Sequence, residues 1–149
     1  MKEIIKLWRI IFPMIIAGII WYFSAMSGDA SNSQSLAIAG FLGLPHWLTR
    51  KIAHVVLYTS FGYSLASFFK GIVPEKFPYM NAIFYSLFIS VAYAAVDEIH
   101  QLIVAGRSGS VADVVLDSIA SLCGILIYIA VFCFWRNYRA EKQQKAKTK

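Results

Sequence analysis

The run from Val111 to Trp135, VADVVLDSIASLCGILIYIAVFCFW, is 25 residues long and carries two charges, Asp113 and Asp117. At ~1.5 Å per residue, a helix of that length exceeds a hydrocarbon core of ~30 Å, so the run predicts a transmembrane helix. Three similar apolar runs precede it, at about Ile10–Met26, Ile52–Phe69 and Tyr79–Val104. Residues 136–149 form a basic tail behind the last of them. The predicted fold is therefore all-α: one domain over 1–149, a polytopic membrane protein with four transmembrane helices. Composition agrees, with 58% hydrophobic and 15% charged residues, against roughly 45–50% and about 25% in soluble domains. Disorder, a disulfide scaffold and a simple cytosolic enzyme are excluded.

Pro13 lies early enough in span one to be tolerated. Lys2, Lys6 and Arg9 with Ala25-Met26-Ser27 imitate a signal peptide, but the apolar run is long for an h-region of roughly 7–15 residues, so an uncleaved anchor is expected. With the N-terminus in the cytoplasm, eleven Lys and Arg lie inside and three (Arg50, Lys51, Arg107) outside. The positive-inside bias thus predicts a cell-membrane protein with both termini cytoplasmic. Arg136 and the five basic residues beyond it (Arg139, Lys142, Lys145, Lys147 and Lys149) sit in the tail, where they report topology and meet anionic lipid. No basic groove interleaved with aromatics exists, so no nucleic-acid partner is expected. Cys123 and Cys133, about 15 Å apart along one helix, cannot pair with each other.

The inner loop 70–78 reads as a short Pro/Gly turn. The outer loop 27–49 is longer. Ser31-Asn32-Ser33-Gln34 has capping-box spacing, and Ser35–Leu42 is a short apolar stretch closed by Gly43 and Pro45. It is too short to span, which predicts an interfacial or re-entrant helix with Trp47 at head-group depth.

Ionisable residues inside spans are costly, and here they cluster near the outer ends. Arg50, His54 and Tyr58 follow at i, i+4 on span two, with Lys51 beside them. On span three, Ser86, Ser90, Tyr93, Asp97 and Gln101 share an arc of about 80°, with Glu98 about 100° to one side of Asp97 and His100 about 60° to the other. On span four, Asp113, Asp117, Ser121, Gly124 and Tyr128 form a similar stripe. Turned inward, these stripes would enclose a polar cavity. Two readings stay open. The charges can be interhelical ion pairs that only fix packing, with Asp113 in an S-x-x-D capping box from Ser110. Alternatively, Asp97, Glu98, His54 and His100 are candidate catalytic groups, and Arg50, Lys51, Tyr58, Gln101, Arg107, Asp113 and Asp117 candidate substrate-binding groups. No metal or other cofactor is assigned. Asp113-x-x-x-Asp117 shares a face that would suit Mg²⁺ bridging to a diphosphate, while Glu98-x-His100 lacks the spacing of a helix-borne zinc motif. Residues 106–110 are a flexible turn, not a P-loop.

Arg50-Lys51-Ile52-Ala53-His54 with Tyr58 resembles the RKxxH…Y segment of VanZ-like membrane proteins. Asp97-Glu98-Ile99-His100-Gln101, then Gly106-Arg107, Asp113 and Asp117, resembles that family's DExHQ…GR…D…D segment. Phe23-Ser24 and the Ser-rich stretch to Ser35 are similar to its first outer loop, while Val104-Ala105 departs from a frequent proline. The resemblance implies an association with low-level teicoplanin resistance and a place in the cell envelope, but no reaction. A carboxylate, His and Arg cluster at the outer leaflet suits the anionic head group of a membrane lipid or lipid-linked wall precursor. The rival is a non-enzymatic accessory protein that binds a drug, a lipid or a partner membrane protein. A proton-coupled transporter is disfavoured, because the inner halves of the spans carry no ionisable residue. Oligomeric state is left open.

Overall fold

The computed structural model describes residues 2–72 and 78–147, with side chains over 7–72 and 79–146. Five helices follow in order: α1 Lys2–Ser24, α2 Gly28–Leu42, α3 His46–Ile72, α4 Pro78–Ile103 and α5 Val111–Lys147. As the sequence predicts, four of them (α1, α3, α4 and α5) contain stretches long and apolar enough to cross a membrane. The turn expected at 70–78 falls mostly outside the described residues.

Two boundaries differ from expectation. α5 does not stop where hydropathy falls at Trp135 but runs on to Lys147. Its tail is rich in Ala, Glu, Gln, Lys and Arg, which are good helix formers, and it extends a helix already nucleated. α2 begins at Gly28 rather than after a cap at Ser31. Ser27 is its N-cap, its hydroxyl accepting from the Ala30 amide at 3.4 Å, and Asp29 lies in the first turn, where negative charge meets the helix dipole. The exit is as expected, with Gly43 in the left-handed region at φ 66°. At 15 residues, or about 22 Å, α2 cannot span.

α3 packs against all four other helices, and α5 against α3 and α4. Small residues make the α3–α5 approach close. A Cβ on Gly62 would meet the Ser121 carbonyl, and one on Gly124 the Thr59 carbonyl. In lipid, which supplies no hydrophobic drive between helices, such backbone proximity is the usual source of attraction. Ile16 and Ile20 of α1, Tyr58, Phe61 and Leu65 of α3, Ala94 of α4 and Ala120 of α5 form the main core. Meanwhile Met14, Phe84 and Ile99 are 68%, 64% and 64% exposed, an outer surface that suits hydrocarbon and not water. At the end bearing the chain termini, Arg136 donates to the Tyr79 hydroxyl at 2.7 Å and Lys70 lies over the Phe132 ring.

α1 is tied to α4 by the Tyr93 hydroxyl, which donates to the Ala17 carbonyl at 2.7 Å. That carbonyl also lies within a helix ladder, so losing the extra donor strands no buried group. Tyr93→Phe is expected to cost about 0.5–1.5 kcal/mol and to leave the folded population intact. A small drop in the thermal midpoint in detergent would show it.

Candidate polar site at the loop end of the bundle

The α1–α2 loop and residues 104–110 meet at the end opposite the termini. Gly106 has φ 73°, a conformation that favours glycine. It packs against Gly28, whose amide donates to the Ala105 carbonyl at 2.9 Å. Arg107 fastens the same junction. One guanidinium nitrogen donates to the Ser31 hydroxyl at 3.2 Å and another to the Phe23 and Ser24 carbonyls. Those carbonyls end α1 and lack intrahelical donors, so Arg107 caps α1 from a distant loop. Burial, followed by the charge of nearby Arg50, lowers the Arg107 guanidinium from its usual high value, with Asp97 and Glu98 acting the other way. It remains a cation.

Under this junction lies a cavity of about 140 Å³. Ile20, Phe23, Ile38 and Leu57 supply apolar wall, and Arg50, His54, Tyr58, Asp97, Gln101 and Arg107 supply polar wall. The serine-rich face of α2 closes one side through Ser31, Gln34 and Ser35.

Behind the polar wall, α4 and α5 bring their acids together against His54 and Tyr58 of α3. Tyr58 donates to Asp97 Oδ2 at 3.2 Å, and the Gln101 amide reaches the same oxygen at 3.4 Å and Glu98 Oε1 at 3.3 Å. Glu98 Oε2 accepts from the Ser110 amide at 2.7 Å. His54 Nδ1 lies 3.2 Å from Asp117 Oδ2. Asp97, Glu98 and Asp117 are all buried, while His54 is partly so. One donor atom from each of these four residues can be chosen so that all lie within 4.8 Å of one another. Asp97 Oδ1 and Asp117 Oδ1 are buried and have no hydrogen-bond partner.

Of the four candidate catalytic groups, His54, Asp97 and Glu98 converge and His100 does not. His100 faces α1, stacked on Trp21 with ring centroids 4.2 Å apart and its Nδ1 3.3 Å from Ser24 Oγ. Among the binding candidates, Arg50, Tyr58, Gln101 and Arg107 line the cavity and Asp117 joins the acids behind it. Lys51 and Asp113 pair with each other at 2.8 Å, both partly exposed. Asp113 does not reach back to the Ser110 amide; Glu98 takes that place from α4, while the Ser110 hydroxyl accepts from Ala112 N at 3.2 Å. Sequence reasoning missed Ser31, Gln34 and Thr49 as cavity residues. Ser31, Gln34, Ser35 and Ile38 recur at i, i+3, i+4 and i+7, and this one-face pattern was the available signal.

Fold and site together define a class: a four-span membrane protein with a buried carboxylate–imidazole cluster beside a mixed apolar and cationic cavity. The VanZ/LLP1 family model matches residues 9–134. The chain belongs to that family. No curated protein and no solved structure matches it.

Proposed function

We propose that the cavity binds the phosphate-bearing head of an envelope lipid or lipid-linked cell-wall precursor at the outer leaflet. The observation that carries this is Arg50 sharing one cavity with apolar side chains from α1, α2 and α3. Among the described residues the Arg50 side chain makes no hydrogen bond or ion pair. A guanidinium at the edge of a low-dielectric pocket favours a bidentate oxyanion, and the apolar wall favours the chain attached to it. The arrangement has the two halves of an amphiphile. Asp97 and His54 line the head-group position, where proton transfer to or from a bound group would be short, and Glu98 stands behind them through Gln101. The strong bias of Lys and Arg toward the opposite end supports an orientation with both termini in the cytoplasm. Family membership supports a link to glycopeptide susceptibility, and head-group recognition of a wall precursor is a physical route to it.

A second reading has its own observation. Arg107 is engaged with Phe23, Ser24 and Ser31, so part of the cationic wall holds loops together and the protein can act as a binding accessory without chemistry.

The test is binding of a short-chain polyprenyl phosphate, with the matching polyprenol as control, to purified protein in detergent. Wild type is expected to prefer the phosphate. Arg50→Ala is expected to lose about 10–100-fold, the equivalent of a charge-assisted hydrogen bond of roughly 1.5–3 kcal/mol, and Arg50→Lys to retain part of the affinity. Equal binding of phosphate and alcohol would sink the proposal. In a Gram-positive host, expression of wild type is expected to lower teicoplanin susceptibility, and equally expressed Arg50→Ala is expected not to.

A further inference from the structure

We propose that His54, Asp97, Glu98 and Asp117 form a binding site for one divalent transition-metal ion, of the class of Mn²⁺ or Zn²⁺. Three buried carboxylates in one place are costly unless a cation or protons neutralise them. The side-chain cations at this end do not neutralise them: Lys51 pairs with Asp113, Arg107 bonds α1 carbonyls and Ser31, and Arg50, though it lines the same cavity, makes no ion pair with the cluster. Among the described residues, His54 is the one basic side chain in contact with these carboxylates, through Asp117.

The hydrogen bonds divide each aspartate into an oriented oxygen and a spare one. Asp97 Oδ2 takes Tyr58 and Gln101, leaving Oδ1; Asp117 Oδ2 faces His54, leaving Oδ1. Both spare oxygens are fully enclosed and unpartnered, on side chains 1% and 0% exposed. Holding one carboxylate oxygen by outer donors and presenting the other is how proteins fix metal ligands. The spacing also fits. With metal–ligand bonds of ~2.1 Å, neighbouring ligands lie about 3.0–3.4 Å apart and opposite ones about 4.2 Å. One ligand atom from each of the four residues lies within 4.8 Å of the others, a span that needs only slight contraction. One imidazole among carboxylates selects Mn²⁺ or Zn²⁺ over Mg²⁺, which takes oxygen ligands and keeps its waters. This set differs from the Asp113–Asp117 pair considered from sequence, since Asp113 is held by Lys51. The purpose of the ion rests on the head-group reading, in which it would sit beside the bound phosphate, but its binding is measured without lipid.

The experiment uses the full-length protein in detergent, stripped with EDTA and dialysed against MnCl₂ or ZnCl₂, with bound metal counted by elemental mass spectrometry. Wild type is expected to take up one ion per chain at micromolar concentration and to show a raised thermal midpoint. Bound Mn²⁺ is expected to show ¹⁴N coupling from one imidazole in pulsed EPR, lost in His54→Gln. Asp117→Asn is expected to weaken binding by at least about 10–100-fold, and Asp113→Asn to leave it unchanged. Absence of saturable uptake by wild type at millimolar metal overturns the proposal. So does ¹⁴N coupling that survives in His54→Gln. Uptake of one ion with no preference for polyprenyl phosphate over polyprenol would support the metal site while removing the lipid reading.

Discussion

Metal-free Asp97→Asn is expected to be at least as stable as the metal-free wild type, yet to lose function. Asn preserves the shape of the side chain, and its carbonyl can still accept from Tyr58 and Gln101, the two donors now on Oδ2. Its amide group then takes the position of Oδ1, which has no partner, and turns a stranded acceptor into a donor within a cluster of acceptors. One of three crowded negative charges also disappears. Both changes favour the folded state, and each 1 kcal/mol gained is worth about 2–4 °C for a chain of this size. Function should nevertheless fall, because an amide neither exchanges a proton nor serves as an anionic metal ligand. Asp97→Ala separates this from a packing effect. It leaves the Tyr58 hydroxyl buried without its acceptor and the Gln101 amide with Glu98 alone, at a cost of about 1–3 kcal/mol. Thermal midpoints of the three metal-free proteins, set beside polyprenyl phosphate binding and teicoplanin susceptibility, test the pair. A stable, fully functional Asp97→Asn would show that the carboxylate serves packing alone.

Part of this site is legible in the amino-acid sequence alone. A membrane demands long apolar runs, so the spans follow from hydropathy with few competing solutions. Helical periodicity then assigns faces. The stripes on α4 and α5 include Ser86, Ser90, Asp97 and Gln101, and Asp117, Ser121 and Tyr128, all of which are buried. What periodicity lacks is the identity of the neighbour. His100 lies only about 60° round the helix from Asp97, but that rotation is enough to aim it at Trp21 and Ser24 of α1 instead of at His54. Nothing local to α4 specifies which helix stands there.

Helix starts show the same limit. Ser27 and Ser31 are both competent caps by residue type. The contact of Gly28 with Ala105 and Gly106 favours the earlier one, and this leaves Ser31 free to accept from Arg107. Likewise the S-x-x-D pattern at Ser110 is a sound local signal, but Glu98 occupies the Ser110 amide from α4 and Lys51 draws Asp113 away. Local propensity identifies groups able to satisfy a helix end. Tertiary packing decides which of them does.

Substitution of Gly124 by Leu is expected to abolish the folded bundle, and with it the site at a distance. A side chain at 124 begins where the Thr59 carbonyl already sits, and its Cβ would lie 2.9 Å from the Tyr63 amide nitrogen. These are backbone atoms of a regular helix, so no rotamer change relieves the overlap and α5 must move off α3 as a body. Ser121, one turn nearer the site, donates across the same seam to the Tyr58 carbonyl at 3.2 Å, and Asp117, a turn further, faces His54. Separation therefore opens the tyrosine and carboxylate contacts in sequence along the helix. Even Gly124→Ala carries the overlap and should cost on the order of 1–3 kcal/mol, with Leu adding three carbons to the same strain. Gly18→Ala is the matched control: a Cβ there has nothing within 4 Å. Replacing this mid-helix glycine should be neutral or stabilising by up to about 1 kcal/mol. Membrane abundance and a monodisperse elution profile in detergent distinguish the outcomes. Gly124→Leu protein that elutes and melts like wild type would mean that α3 and α5 do not touch backbone to backbone. The convergence of His54 with Asp117 would then lose its structural cause.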